Sequence, residues 1–305
     1  MPLVSHIICT YNRAEYLPKA LEALAHQNYP DYNDFEVVII NNNSTDNTQE
    51  IVDSFIKQYP DVKVVYAHEE KQGLSNARNK AIEVSNAEWL AFLDDDAYVD
   101  ADYTLNLVTF IKSNPTIKAI GGPILLDFES PKPAWYTHYL GSLFGYFKPY
   151  STSRYFSKNF YPRGSNMVFH KTLFEKYGIF NPNLGRIGRN MMGSEEKDMF
   201  QRIYNGNELV YYLHTAVIYH LVPDFRTEIN FVKKQSIGVG LSEHVRIMQS
   251  HSGVFSKIIS ELIKWSVSFI LLAFYTLQLK PAKGIMLIRF RYWVLKGLTT
   301  TIELQ

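Results

Sequence analysis

The chain has 305 residues, 46% of them hydrophobic, and a formal net charge of +1. That length allows one large domain with an appendage or two modest domains, and the balanced charge lacks the basic excess of a nucleic-acid binder. Cys9 is the single cysteine, which excludes disulfides within the chain and suits a reducing compartment. No basic stretch followed by a long apolar core opens the sequence, so it predicts no secretory signal and a cytoplasmic protein.

In chain order, Val4 to Thr10 predicts a strand, and Leu17, Ala20, Leu21 and Leu24 mark a helix over Glu15 to Gln27. Phe35 to Ile40 predicts a second strand. Ser44-Thr45-Asp46 then offers N-caps for a helix through Ile51, Val52 and Phe55. A strand at Val62 to Tyr66, a helix at Leu74 to Val84 and a strand at Glu88 to Leu93 complete an alternation that implies a mostly parallel, Rossmann-like α/β sheet flanked by helices. No G-x-G-x-x-G follows the first strand, which argues against a dinucleotide-binding oxidoreductase.

From Gly121 to Pro162 aromatic residues accumulate, among them Trp135, Tyr136, Tyr139, Phe144, Phe147, Tyr155, Phe160 and Tyr161. They suit either core or a stacking platform for a sugar or lipid. A strand over Asn166 to His170 and a short helix over Lys171 to Tyr177 follow. Next come a Gly- and Asn-rich loop to Gly193, a helix from Ser194, strands at Leu209 to Leu213 and Ala216 to His220, and a helix from Thr227 to Gln249. The expected domains are 1–225, with halves 1–120 and 121–225, and a helical region 226–305. Within the latter, the apolar run between Lys264 and Lys280 falls short of the roughly 20 residues of a spanning helix. The charged residues from Lys264 to Ile302 are all basic and interleave with aromatics, which suits an anionic membrane surface; packing on the core or on a second subunit is the alternative.

The chemistry concentrates at Asp94-Asp95-Asp96, which follows the apolar run Trp89 to Leu93. Carboxylates this close repel, and a divalent cation with oxygen ligands would neutralise them; a solvated turn capping the next helix is the alternative. Arg78 lies near the start of a helix, where its fork and unpaired backbone N–H groups suit a diphosphate. Glu195 and Glu196 fall in a first helical turn, where acids also complement the helix dipole.

Together these motifs resemble family 2 glycosyltransferases of the GT-A type, from Val4 to about Val222. The resemblance implies an inverting enzyme that moves a sugar from a nucleotide-diphosphate donor, UDP most of all, with GDP or dTDP as alternatives, to a glycan or lipid-linked acceptor. It implies a divalent cation, Mn²⁺ or Mg²⁺. Thr10, Tyr11, Asn12 and Arg13 would form the nucleotide floor, joined by Asn42, Arg78, Asp94 and Asp95 on the donor side. Asp96 and His220 would hold the metal. Asn41 and Asn42 stand where the family usually has an Asp. Glu195-Glu196 occupies the place of an acidic pair, usually Glu-Asp, whose second member is the base, which points to Glu196, with Glu195 as the alternative because glutamate is one methylene longer than aspartate. Gly164, Ser165 and Asn166 would line the acceptor side, and Arg186 or Arg189 would approach phosphate from the loop before the base helix. A bacterial surface polysaccharide or glycolipid pathway at the inner face of the plasma membrane would suit such an enzyme. A non-catalytic nucleotide-sugar-binding subunit and a nucleotidyltransferase are the competing classes.

Overall fold

The computed structural model describes all residues except 32, 159, 186–194, 251–253 and 301–305. Its strands are β1 (Val4–Thr10), β2 (Phe35–Asn41), β3 (Val64–His68), β4 (Trp89–Asp94), β5 (Ala97–Val99), β6 (Ala119–Gly121), β7 (Ile124–Phe128), β8 (Arg154–Tyr155), β9 (Met167–His170), β10 (Val210–Tyr212) and β11 (Ile218–Val222). The helices are α1 (Leu17–Ala25), α2 (Thr48–Gln58), α3 (Leu74–Val84), α4 (Tyr103–Ser113), α5 (Thr172–Tyr177), α6 (Glu195–Asn205), α7 (Asp224–Thr227), α8 (Ile229–Ser250), α9 (Val254–Leu277) and α10 (Pro281–Thr299). The chain divides into two compact units, residues 1–125 with 147–221, and residues 126–146 with 222–305.

In the first unit an eight-stranded sheet, counted among the described residues, has the order β3-β2-β1-β4-β9-β6-β10-β8. β1 lies between β2 and β4, parallel to both, and each of the three is buried along most of its length. Their near-continuous apolar runs follow from that position, since helices cover both faces of a parallel sheet. β9 runs antiparallel to β4 and β6, so the sheet is mixed rather than wholly parallel. Several elements lie outside the predicted series, namely β5, β6, β7, β8, α4 and α7. Tyr103, Thr104, Leu107, Val108 and Ile111 of α4 form a buried stripe at helical spacing. β5 pairs antiparallel with β11, joining His220 to Ala97. β11 runs two residues beyond the predicted end, which puts His220 in mid-strand.

The second unit has its own apolar cluster, in which Leu140 and Phe144 join Val222, Val232, Met286, Leu287 and Trp293. Residues 126–146 therefore belong with the C-terminal helices, and the unit division falls at Leu221/Val222 rather than at 225. α9 is longer than its apolar run suggests. Ile259–Leu277 gives 19 residues of mean hydropathy 1.3, of which 6% is buried, long and apolar enough to cross a membrane by length and composition. Ser266, Ser268 and Thr276 contribute to that length because each hydroxyl donates back to a carbonyl one turn earlier.

Candidate active site

The parallel register of β1 and β4 sets Cys9 opposite Asp94 and delivers the β1 loop beside the three aspartates. Thr10 donates its hydroxyl to Asp95 Oδ2 at 2.9 Å. Asn12 has φ +50°, a conformation that asparagine tolerates better than most residues. Its Oδ1 accepts from Thr45 N–H at 2.7 Å and its own N–H donates to Ser44 Oγ at 3.0 Å, lacing the loops after β1 and β2 together. Tyr11 is 37% exposed.

Asn42 does a different job from the expected one. It is buried, donates to the carbonyls of Glu69 and Lys71 at 3.0 and 2.8 Å, and accepts from Gly73 N–H at 2.8 Å. A carboxylate could not make the two donations, so the asparagine is explained by the loop that leads into α3. Its amide holds that loop.

Asp95 turns away from its neighbours. Besides Thr10 it meets Arg13 Nη1 at 3.2 Å, while Arg13 Nη2 donates to Asp96 Oδ2 at 2.6 Å. Burial pushes Asp95 up to about 7, against the pull of Arg13, with Asp96 adding to the rise. Asp94, Asp96 and His220 instead converge, with one candidate ligand atom from each lying within 4.8 Å of the others. A cation with bonds of about 2.1–2.5 Å joins ligand atoms up to about 4–5 Å apart, so the set fits one. The imidazole adds a chemical reason. His220 Nδ1 lies 3.0 Å from the Leu221 carbonyl, which can only accept, so Nδ1 carries the proton. The other nitrogen, Nε2, faces Asp96 Oδ1 across 3.3 Å and is the ring atom that would ligate a cation shared with that carboxylate.

The second acidic group lies at the start of α6. Glu195 is 3% exposed and accepts from Arg78 Nη1 at 2.6 Å. Arg78 is itself buried and lies 3.9 Å from Asp94, with Phe180 under its guanidinium at 5.5 Å. Gly164 closes over it so tightly that a Cβ there would stand 2.8 Å from Nη2. The structure therefore engages Arg78 with Glu195 and leaves it no open face for a diphosphate. Arg13, with 27% of its side chain exposed, is the more accessible of the two arginines. Arg78 holds Glu195 ionised, below its ordinary value despite burial. Glu196 is half-buried; burial first, and then the Glu195 charge, push it up to about 7.

α3 and the segment before α6 are fastened to each other. Asn79 exchanges two hydrogen bonds with the Phe180 backbone, at 2.9 and 3.0 Å, and Ser75 donates to the Leu184 carbonyl at 2.7 Å. Arg186, Arg189, Gly193 and Ser194 lie outside the described residues. Of the expected acceptor-side residues, Ser165 is buried and Asn166 has no exposed surface. Asn166 donates to the carbonyls of Pro123 and Ala216 and accepts from the Tyr103 hydroxyl. It ties strands together from inside, and Gly164 serves Arg78. Tyr161, which the motifs pass over, feels the charges of Glu195 and Glu196, and Arg163 lies over its ring; the run of exclusively basic charges between Phe147 and Phe174 is the signal that could have found Arg163.

A mixed sheet of this order flanked by helices is a fold of the GT-A type. Residues 5–178 match the model of Glycosyl transferase family 2, more than half of the chain, and the protein belongs to that family. It is 29% identical over 251 residues to the glucosyl-dolichyl phosphate glucuronosyltransferase of Haloferax volcanii, covering 79% of this chain and 76% of that protein. Glycosyltransferase AglE of the same organism is 36% identical over 131 residues, 43% of this chain and less than half of that protein, at 41%. In fold it resembles a mannosyltransferase of Pyrobaculum calidifontis solved with GDP-Man and Mn²⁺. The TM-score is 0.62 at 17% identity, over 97% of this chain and 86% of that one. The protein is thus a glycosyltransferase that acts on nucleotide sugars.

Proposed function

We propose that the protein transfers a sugar with inversion from a nucleotide-diphosphate donor to a hydroxyl of a lipid-linked or glycan acceptor, with Glu196 as base and a divalent cation at Asp94, Asp96 and His220. The observation that carries this is the presence in one unit of two acidic groups with different surroundings, one converging on a cation-sized space and one tuned toward proton transfer. A cation bound there, Mn²⁺ or Mg²⁺, would stabilise negative charge on the departing phosphate. Glu196 accepts the proton of the acceptor hydroxyl as its oxygen bonds to the anomeric carbon. The bond from that carbon to the phosphate oxygen breaks, and the electron pair leaves with the nucleoside diphosphate. Attack opposite the leaving group inverts the anomeric carbon and needs no covalent enzyme intermediate. Thr10, Asp95 and Arg13 hold the donor side in register, and Arg78 keeps Glu195 charged beside the base.

Thermal unfolding against UDP-, GDP- and dTDP-sugars, with and without Mn²⁺, tests the donor half. At about 100 times its dissociation constant a donor should add roughly 2.7 kcal/mol. A metal-dependent shift lost in Asp96→Ala is expected; a shift indifferent to metal and to Asp96 would overturn the cation site.

The protein works, on the same reading, from the cytoplasmic face of a membrane. Leu262, Ile263, Ile270, Phe274 and Leu277 are exposed on α9, and the charged residues from Lys264 to Lys296 are basic throughout. Apolar insertion with basic flanks suits an anionic interface. Sedimentation with anionic vesicles should carry the protein down and neutral vesicles should carry less; equal recovery in both supernatants would refute the membrane role.

A further inference from the structure

We propose that Arg163 and Tyr161 form an acceptor subsite beside Glu196 that recognises a phosphate group on the acceptor. This rests on Glu196 being the base. Phe200 lies one turn beyond Glu196 on α6, on the same face. Tyr161 stacks on Phe200 with ring centroids 5.9 Å apart and planes 29° from parallel, so it borders the base. Burial raises the Tyr161 hydroxyl, Arg163 opposes that rise and the Glu196 charge adds to it, as expected of a ring between the two groups.

Arg163 is exposed and lies over Tyr161 at 4.9 Å and over Phe147 at 5.1 Å. Stacking of this kind, with a hydrogen bond from Arg163 to the Tyr161 hydroxyl, holds the guanidinium in place and leaves its remaining N–H groups for an anion. Among the described residues no carboxylate lies within ion-pair distance of Arg163, in contrast to Arg13 and Arg78. Its neighbour Gly164 touches Arg78, so residues 161–164 run along the acidic pair. The wider charge pattern agrees. Between Phe147 and Phe174 the charged residues are Lys148, Arg154, Lys158, Arg163 and Lys171, with no Asp or Glu. An arm of one sign next to a pair of carboxylates serves an anion that those carboxylates would otherwise repel. A guanidinium fork matches phosphate in geometry as well as charge.

The test uses the full chain and paired probes: octyl-phosphate-linked glucose, galactose, mannose and N-acetylglucosamine, and the octyl glycosides of the same sugars. Isothermal titration should show at least one phosphate-linked probe binding about tenfold or more tightly than its neutral twin, as a charge-assisted hydrogen bond allows. Arg163→Gln should abolish that preference and Arg163→Lys should keep part of it, while the metal-dependent shift with nucleotide sugar persists in both. A wild-type preference below about twofold in every pair, or a preference that survives Arg163→Gln, overturns the proposal. So does loss of the nucleotide-sugar shift in Arg163→Gln, which would assign this arginine to the donor diphosphate. Absence of that shift in the wild type would instead count against the proposed donor chemistry, which the paired probes do not interrogate.

Discussion

The two acidic groups of the first unit each contain an arginine partner, yet they leave different residual charges. At the end of β4 Asp95 and Asp96 pair with Arg13 beside Asp94, and at the head of α6 two glutamates face Arg78. The first group is left short by two positive charges and the second by one. A divalent cation satisfies the former and a single proton the latter. The geometry agrees, since Asp94, Asp96 and His220 turn ligand atoms toward one another whereas Glu195 is held by Arg78 and Glu196 stands beside it. On the proposed reading, residual charge rather than the number of carboxylates is what would separate the metal site from the base.

The largest effect should come from dissociating the two groups. Glu196→Gln is expected to lower turnover by about 10²–10⁴-fold, the usual worth of a positioned base, while keeping the metal-dependent shift with nucleotide sugar. Asp96→Ala should lose that shift. If Glu196→Gln also lost the shift, or retained turnover, the division of labour would fail. Next in size is stability. Arg78→Met leaves Glu195 buried without its partner and should cost about 3–5 kcal/mol in denaturant unfolding. Arg13 is partly exposed, so Arg13→Met should cost less. The reverse order would mean that Arg78 is not the central cation of the unit.

The sequence marks both acidic groups because each is a local run at a recognisable place in the strand and helix alternation. It marks β1, β2 and β4 because burial on both faces makes them apolar throughout. The partners are harder to read. Arg78 meets Glu195 across 117 positions, and Arg13 meets Asp96 across 83, so nothing local distinguishes an arginine for diphosphate from one for a carboxylate. Asn42 and Asn166 look like ligand groups in a motif, yet each satisfies backbone carbonyls 27 to 50 residues away. An asparagine amide serves either purpose, and only the fold decides. α4 is the opposite case, since its apolar stripe was present in the sequence and its absence from the predicted series has no physical cause.

The smallest and most specific effect concerns pH. Glu196 is raised to about 7 by burial first and by Glu195 second, with Arg78 pulling the other way. Because a base must be ionised, the rate should fall about tenfold for each pH unit below that value. Glu195→Gln removes the neighbouring negative charge and leaves the Arg78 charge unopposed, so both changes favour ionised Glu196. The acid limb of the pH–rate profile should move down, though not to the ordinary glutamate value, because burial remains. Arg78→Met should move it up, since the positive charge that favours ionised Glu196 is lost. Opposite displacements from two variants on the same pair are hard to obtain from loosened packing, which would lower turnover without ordering the limbs. A limb that stays put in both would make Glu195 and Arg78 purely structural, and the single proton left by the charge balance would have to reside elsewhere.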